Sequence, residues 1–306
     1  MSTNTTIKNI TIAFDLYGTI LSTESITEAL SAHLGGNTTQ AGAVSTKWRR
    51  YQLEYTWRMA AMGAYEPFDR VTRAALQHAA AEELGPGGSL PESVVDELMR
   101  SYDSLGVFPD VVPALERLRG RKENSSSSGG GGSDNTSDKD TEIKVEAVIF
   151  SNGTEAMLRN SIDTSPDLKP FRTDDNNDRG GPGLFKKLIT VHDARTYKPT
   201  PLSYSHLRSE ADADADADAD GHGEALVWLV SANPFDVVGA RTAGLPAAWI
   251  DRAGAGWVDG LGDVIFGVGG GGGGGEVDDA GRQRARPSVI AKGVDEAVEE
   301  ILRLGT

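Results

Sequence analysis

The stretch ITIAFDLYGT, residues 10–19, decides the fold, because it sets a carboxylate between a run of apolar residues and a glycine turn. The apolar run of residues 10–14 predicts a short buried strand. In open α/β sheets, ligands bind in the crevice beyond the carboxyl ends of the strands. Asp15 is therefore predicted to lie at the edge of that crevice, where a nucleophile belongs. The residue two places further on is Tyr17 and not a second aspartate, and this difference bears on the chemistry.

Beyond residue 105 the chain alternates between predicted helices and strands. Apolar periodicity predicts helices at 111–121, from 155, from 200 and over 235–243, and strands at 144–150, 187–191, 225–230 and 247–250. Such alternation predicts an α/β fold with a Rossmann-like parallel sheet flanked by helices. The last strands are apolar without alternation, as in sheets that are buried on both faces.

Residues 23–105 interrupt this order with helices alone. Apolar residues at three- and four-residue spacings predict helices at 24–33, 45–61, 67–84 and 91–105. We therefore expect two domains, a core of residues 1–22 and 106–306 and a helical cap of residues 23–105 inserted after the first strand.

Four segments have compositions that predict loop expansions of the disordered type. Residues 123–140 are rich in Ser and Gly, 164–183 in Asp, Asn, Gly and Pro, 210–223 contain five Ala-Asp repeats, and 269–275 are all glycine. These compositions bury too little apolar surface to offset the entropy of ordering. The repeat also lacks the glycine turn and the bidentate glutamate of a calcium loop, so no cation site is expected there.

Composition and charge narrow the class of protein. The chain has 306 residues and a formal net charge of -15, which argues against nucleic acid as a partner because such binding requires Lys and Arg. With 0 cysteines there is no disulfide or thiolate nucleophile, which fits a reducing compartment. Residues 1–6 do not show the basic segment followed by an apolar one that is typical of a targeting signal, and no apolar run reaches about 20 residues. We expect a cytoplasmic protein without a membrane partner, and a homodimer is kept as an option.

Polar side chains follow several of the predicted strands. Because the carboxyl ends of parallel strands meet at one edge of the sheet, these side chains should converge without any metal-ligand cluster. Each one also has a structural alternative: the carboxylate could cap a turn, the serines could cap helices, and the lysine could lie on the surface. The residues concerned are Asp15, Ser151, Asn152, Lys198, Ser231, Asn233 and Asp236.

Four short segments in this order resemble the motifs of the haloacid dehalogenase superfamily. They are DLYGT (15–19), SNG (151–153), YKP (197–199) with Tyr204 six residues beyond Lys198, and SANPFD (231–236). More specifically, the chain resembles the type II (S)-2-haloacid dehalogenases. The segment WRRYQLEYTW (48–57) is similar to the cap segment of those enzymes, and Phe68 falls at a matching pocket position. The resemblance covers the whole chain apart from the four loop expansions.

The resemblance implies hydrolysis of a 2-haloalkanoic acid through a covalent ester. Asp15 would attack C2, displace halide with inversion and form an aspartyl ester, which water then opens to release a 2-hydroxy acid. Lys198 would hold Asp15 ionised, since a nearby cation favours the carboxylate form. Arg49, Asn152 and the positive ring edge of Phe235 would receive the halide.

The remaining roles also follow from the resemblance. Thr19 and Ser151 would orient the carboxylates, and Asp236 with Asn233 would position Lys198 and the hydrolytic water. The catalytic set is completed by Tyr204 and Ser231, and the alkyl side of the substrate would be walled by Tyr17, Leu53 and Phe68.

Two local alternatives stay open at this point. Leu53 and Phe68 could belong to the core of the cap, because a helical stripe of apolar residues is usually core. Only one of Arg49 and Arg50 can face the cleft, since neighbouring helix positions point about 100° apart.

Two other functions remain as alternatives to a dehalogenase. Superfamily phosphatases carry a second aspartate at the position of Tyr17 and acidic magnesium ligands near Ser231 and Asn233, and both features are missing. A halide leaving group needs neither a proton donor nor magnesium, so no cofactor and no metal are expected. The alternatives are a magnesium-dependent phosphatase and a catalytically idle protein that binds a small carboxylate.

Overall fold

The computed structural model describes residues 6–127, 141–172, 183–212, 225–267, 279–284 and 286–305. Its centre is one six-stranded sheet in which every pair of neighbours is parallel, with the strand order β3-β2-β1-β4-β5-β6. The parallel sheet flanked by helices confirms the predicted fold class. The strands are β1 (Thr6–Phe14), β2 (Thr141–Ser151), β3 (Phe185–Thr190), β4 (Leu226–Ser231), β5 (Ala247–Ile250) and β6 (Val289–Ala291).

The core lies on both faces of this sheet. Alternate residues of a strand point to opposite faces, and those of β1 accordingly divide between two apolar clusters: Ile12 and Phe14 join one, and Ala13 joins the other. Strand β4 is buried from Val227 to Ser231. Its unbroken apolar sequence reflects this burial on both faces.

Between β1 and the next core helix lies the helical insert of residues 23–105. It consists of a 3-10 turn (Thr23–Ile26), α1 (Thr27–His33), α2 (Thr38–Ala61), α3 (Phe68–Leu84) and α4 (Glu92–Tyr102). Helix α2 begins seven residues before the predicted start at residue 45, because the Asn37 side chain accepts a hydrogen bond from the Gln40 amide (3.0 Å) and caps the helix.

The remaining helices flank the sheet. They are α5 (Val111–Ser127), α6 (Glu155–Thr164), α7 (Pro201–Asp212), α8 (Pro234–Thr242), α9 (Leu261–Ile265), α10 (Asp279–Arg284) and α11 (Val294–Gly305). Among the described residues, no helix combines the length and the apolar character needed to cross a membrane.

Parts of the predicted loop expansions are ordered, and there the prediction was wrong. Helix α5 continues through residues 123–127, and α7 includes residues 211 and 212. Residues 164–172 contain the end of α6 and a 3-10 turn (Lys169–Phe171), because Leu168 and Phe171 are apolar and pack into the core. Residues 128–140, 173–182, 213–223 and 269–275 of those segments lie outside the described residues.

Candidate active site

The carboxyl ends of β1, β2 and β4 meet at one edge of the sheet, as their parallel pairing requires. Asp15 directly follows β1, and its amide donates to the Val230 carbonyl of β4 (3.0 Å). Ser151 and Ser231 are the last residues of β2 and β4. The turn after Asp15 passes through Gly18 with a φ of 88°, a left-handed conformation that glycine adopts without strain. This turn brings Thr19 back toward the Asp15 carboxylate.

The two oxygens of the Asp15 carboxylate have different partners. Oδ2 accepts three hydrogen bonds, from Thr19 Oγ1 (2.7 Å), Ser231 Oγ (3.3 Å) and Asn233 Nδ2 (2.6 Å). Among the residues that the structure describes, Oδ1 accepts one hydrogen bond, from Lys198 Nζ (3.1 Å). The side chain is buried, so these donors replace the water that would otherwise solvate the charge. The reading of Asp15 as a mere turn cap does not account for four side-chain donors.

Lys198 is buried beneath the site, with a relative exposure of 1%. Its ammonium group donates to Asp15 Oδ1, to Asp236 Oδ2 (2.8 Å) and to the Phe150 carbonyl (2.7 Å). The Asn152 side chain accepts from the Lys198 amide (2.9 Å) and anchors this loop. The alternative of a surface lysine was wrong, because the loop after β3 turns the side chain into the space between two carboxylates.

Asp236 and Tyr204 form the floor of the cluster. Tyr204 donates from its hydroxyl to Asp236 Oδ1 (2.8 Å), and both side chains are buried. Burial raises the pKa of Asp236 above its ordinary value, although the charge of Lys198 opposes the shift. Burial and the negative charge of Asp236 raise the pKa of Tyr204 well above its ordinary value, so the phenol remains a donor.

The structure chooses between the two neighbouring arginines of α2. Arg49 faces the sheet edge, where its Nη2 donates to the Tyr17 carbonyl (3.0 Å) and to Asn233 Oδ1 (3.2 Å). Arg50 is exposed and contacts Tyr51 instead. Since Asn233 also holds Asp15, Arg49 lies one residue away from the carboxylate.

The residues predicted to line the alkyl side of the substrate and the aromatic residue predicted to receive the halide lie in different places. Tyr17 and Phe68 pack together where the insert meets the core, with ring centroids 6.0 Å apart, and both are buried. Phe235 at the start of α8 instead makes an edge contact with Trp57 of α2 (5.4 Å). Leu53 lies one helical turn after Arg49 and is half-buried. The reading of Phe68 as part of a packed core therefore fits its surroundings.

The structure places Ser151 at the site, but its contact differs from the expected one. Its hydroxyl accepts from the Gly153 amide (3.1 Å) and shapes the turn after β2. The expectation that Ser151 orients a carboxylate stays a prediction. Ser231 similarly accepts from the Asn233 amide (3.1 Å) while it donates to Asp15. Asn233 occupies the N-cap position of α8, but its side chain makes no capping hydrogen bond there.

The sequence did not reveal the residues that support the site from behind without contacting Asp15. Arg252, which follows β5, donates to the Thr19 carbonyl (2.8 Å) and pairs with both carboxylate oxygens of Asp110 (2.9 and 2.8 Å). The pair thereby holds the turn that carries the Thr19 hydroxyl. No local pattern could have found it, because Arg252 and Asp110 stand 142 positions apart in the chain.

Known proteins with similar sequences are dehalogenases. The chain is 29% identical over 246 residues to the haloacetate dehalogenase of Moraxella sp. (strain B). The aligned region covers 79% of this chain and 86% of that protein. It is also 29% identical over 244 residues to an (S)-2-haloacid dehalogenase of Pseudomonas putida, covering 80% and 86%. No protein-family model matches the chain.

A solved structure shows the same fold. The L-2-haloacid dehalogenase of Xanthobacter autotrophicus with chloropropionic acid covalently bound superposes with a TM-score of 0.63 at 22% identity, over 95% of this chain and 98% of that one. The fold is therefore that of the haloacid dehalogenase superfamily. Within it, the chain is a relative of the (S)-2-haloacid dehalogenases, and the resemblance drawn from its sequence is confirmed.

Proposed function

We propose that this chain hydrolyses (S)-2-haloalkanoic acids to (R)-2-hydroxyalkanoic acids and halide through an ester on Asp15. The observation that carries the proposal is the unequal bonding of the Asp15 carboxylate, with three donors on Oδ2 and Lys198 on Oδ1. The names of the relatives support the substrate class. The covalently bound chloropropionic acid of a protein with the same fold supports the ester route.

In the first step, Asp15 Oδ1 attacks C2 of the substrate and the carbon-halogen bond breaks. Oδ1 is the better nucleophile of the two oxygens, because it accepts one hydrogen bond among the described residues while Oδ2 accepts three. A carboxylate must be ionised to attack, and the ammonium of Lys198 at 3.1 Å favours that form. The negative charge leaves with the halide.

In the second step, water attacks the carbonyl carbon of the ester, and the bond from that carbon to Oδ1 breaks. Oδ1 leaves with C2, takes up a proton and becomes the hydroxyl of the 2-hydroxy acid, while the oxygen from water stays on Asp15. The oxygen that becomes negative in this step is Oδ2, toward which Thr19, Ser231 and Asn233 already direct donors. Asp236 is the second carboxylate bound to Lys198, and its raised pKa makes it a stronger base than an ordinary carboxylate. It is our candidate acceptor for the proton of the water.

Arg49 is our candidate for receiving the halide, together with Asn152 and Phe235. The guanidinium belongs to the helical insert and reaches the residues that hold Asp15. We regard the insert, residues 23–105, as a cap domain, since its Arg49 and Phe68 both contact Tyr17 in the turn after β1. A cytoplasmic location and a homodimer stay predictions from the sequence.

The same donors argue against the phosphatase alternative. In place of acidic ligands, Ser231 and Asn233 present a hydroxyl and an amide, and both are directed at Asp15. The two carboxylates of the cluster are occupied by Lys198. We therefore propose that the reaction needs no metal, because a halide needs no neutralising cation of the kind that phosphoryl oxygens require.

One experiment tests the proposal. Purified protein is treated with a chelator and given (S)-2-chloropropionate, and chloride release is measured with and without magnesium. A single turnover in heavy-oxygen water should place the label in the Asp15 carboxylate, as read by peptide mass spectrometry. Asp15→Asn is the matched control and should release no chloride.

Two results would contradict the proposal. Label that appears only in the hydroxy acid product would remove the ester. Magnesium-dependent hydrolysis of phosphate esters without chloride release would establish the phosphatase instead.

A further inference from the structure

Gln52 is a buried polar residue of the insert that lies one helical turn after Arg49 on α2. Its relative exposure is 1%. Its carbonyl oxygen accepts from Arg49 Nη1 (2.7 Å), and its amide nitrogen donates to Thr72 Oγ1 of α3 (2.8 Å). Both ends of the side chain amide are therefore engaged between two helices and an arginine.

The orientation of the Gln52 amide is set by Thr72. The Thr72 hydroxyl donates its proton to the Phe68 carbonyl (2.7 Å), so toward Gln52 it can only accept. The nitrogen of Gln52 must then face Thr72, and its oxygen must face Arg49. Tyr102 lies beside both ends, with its hydroxyl 3.1 Å from the nitrogen and 3.2 Å from the oxygen.

Arg49 is held at two points of its planar guanidinium. Gln52 fixes Nη1, while the Tyr17 carbonyl and Asn233 Oδ1 fix Nη2. Because the guanidinium is a rigid fork, contacts on two nitrogens determine both the position and the plane of the group. Gln52 thereby sets where the charge of Arg49 lies relative to Asp15.

Gln52 could instead be ordinary packing between α2, α3 and α4. In that case its removal would lower stability and the amount of active protein, and every substrate would be affected alike. A residue that places the halide-receiving charge has a different signature. A poor leaving group depends on that charge more than a good one does, because more negative charge must be stabilised as its bond breaks.

We propose that Gln52, oriented by Thr72, is a positioning residue that aims Arg49 at the departing halide. The inference rests on the proposed dehalogenase function. According to this inference, the rate with a poor leaving group depends on a chain of hydrogen bonds. The chain runs from the Phe68 carbonyl through Thr72 and Gln52 to the guanidinium of Arg49.

The test compares Gln52→Met with the unmodified protein on (S)-2-chloropropionate and (S)-2-bromopropionate. The ratio of kcat/KM for the two substrates reports the step that breaks the carbon-halogen bond. Displacement of a positioned group by about 1 Å can cost on the order of 100-fold. We expect a loss of about this size for the chloride substrate, a smaller loss for the bromide substrate, and hence a higher bromide-to-chloride ratio.

A second pair of variants keeps the test decisive if Gln52→Met does not fold. Thr72→Val has nearly the same shape but no hydroxyl, so it should raise the ratio, whereas Thr72→Ser keeps the hydroxyl and should leave the ratio unchanged. Gln77→Met, at an exposed position of α3, is the matched control for the glutamine substitution. Melting temperatures are measured for every variant.

The outcomes separate this inference from the function on which it rests. Equal loss on both substrates in folded Gln52→Met, or equal ratios for Thr72→Val and Thr72→Ser, would overturn the positioning role. Absence of halide release from the unmodified protein would overturn the dehalogenase function and this inference with it. A raised ratio in Gln52→Met and Thr72→Val, with Gln77→Met unchanged, would support it.

Discussion

Replacement of Thr19 by valine should separate the two chemical steps. The substitution keeps the shape of the side chain but removes the 2.7 Å hydrogen bond to Asp15 Oδ2. In the free protein this bond stabilises the carboxylate, so its loss should not weaken Asp15 as a nucleophile. In the hydrolysis of the ester, Oδ2 becomes an oxyanion, and there the lost donor should matter.

The structure allows the size of the effect to be estimated. One missing oxyanion donor typically costs about 100- to 1000-fold in kcat, equivalent to roughly 2.7–4 kcal/mol. Asn233 at 2.6 Å and Ser231 at 3.3 Å would still donate to Oδ2, which favours the lower end. The Thr19 hydroxyl also accepts from the Ala232 amide (2.8 Å), so stability should fall by about 1–3 kcal/mol.

Rapid-quench kinetics can detect the change. Thr19→Val should release about one halide per active site in a fast burst and then turn over slowly, as expected when an ester accumulates. Mass spectrometry of the quenched protein should find the adduct on the peptide that contains Asp15. Thr19→Ser keeps the donor and should behave like the unmodified protein. Thr242→Val is the matched control, because its hydroxyl bonds to the carbonyl of Val238 within α8.

A different result would refute the reasoning. If the burst is lost together with steady-state turnover in folded Thr19→Val, the hydroxyl acts in the first step and the assignment of Oδ2 as the oxyanion is wrong.

Three further predictions concern single contacts. Arg49→Lys keeps the positive charge but loses the planar guanidinium. If charge alone mattered, kcat/KM with (S)-2-chloropropionate would not change; we expect it to fall strongly, because lysine cannot reproduce the two-point contact of the guanidinium. Tyr17→Phe should raise the free energy of unfolding by about 1 kcal/mol in urea denaturation, because the buried Tyr17 hydroxyl has no partner with good hydrogen-bond geometry among the described residues. Tyr102→Phe loses the hydrogen bond to Gln52 and should lower the free energy of unfolding. Burial alone would raise the pKa of Asp110, but its bonds from Arg252 and the Val294 amide outweigh burial and hold the pKa below its ordinary value. The stability from Asp110 is thus present above the ordinary carboxyl pKa and is lost as the pH falls through the lowered one, so Asp110→Asn should destabilise by about 2 kcal/mol at neutral pH and little in strong acid.

Each of these has a contradicting result. Full activity of Arg49→Lys would mean that charge alone suffices. Destabilisation by Tyr17→Phe would show that the hydroxyl has a partner. A stability difference for Asp110→Asn that does not change with pH would show that the ion pair with Arg252 is not its source.

The polar residues of the site could be predicted because they follow strands. The apolar runs before Asp15, Ser151 and Ser231 predict buried strands. Parallel pairing then brings the carboxyl ends of these strands together at one edge of the sheet. The parallel sheet follows from the same local alternation. The C-terminal α11 carried an equally readable signal, since Val294, Ala297, Val298 and Ile301 are spaced as one buried helical face.

Element ends and partial order in the loops were decided by tertiary packing. Composition predicted that residues 164–183 carry no structure, yet Leu168 and Phe171 bury their side chains and order the chain around them. Composition is an average over the whole segment. Two apolar side chains are enough to order part of a segment when they can be buried in the neighbouring hydrophobic core.

By itself, the sequence determined the order of the elements as far as β5, the parallel sheet and the identity of the carboxylate, lysine and amides near the strand ends, because these depend on local periodicity and on the geometry of parallel strands. It did not predict β6 or the helices after β5. Only the tertiary structure decided that Arg49 rather than Arg50 faces Asp15, that Oδ2 has three donors and Oδ1 one, and that Gln52 and Arg252 support the site. Those facts depend on side chains that approach from distant parts of the chain, and no local pattern encodes the distance between them.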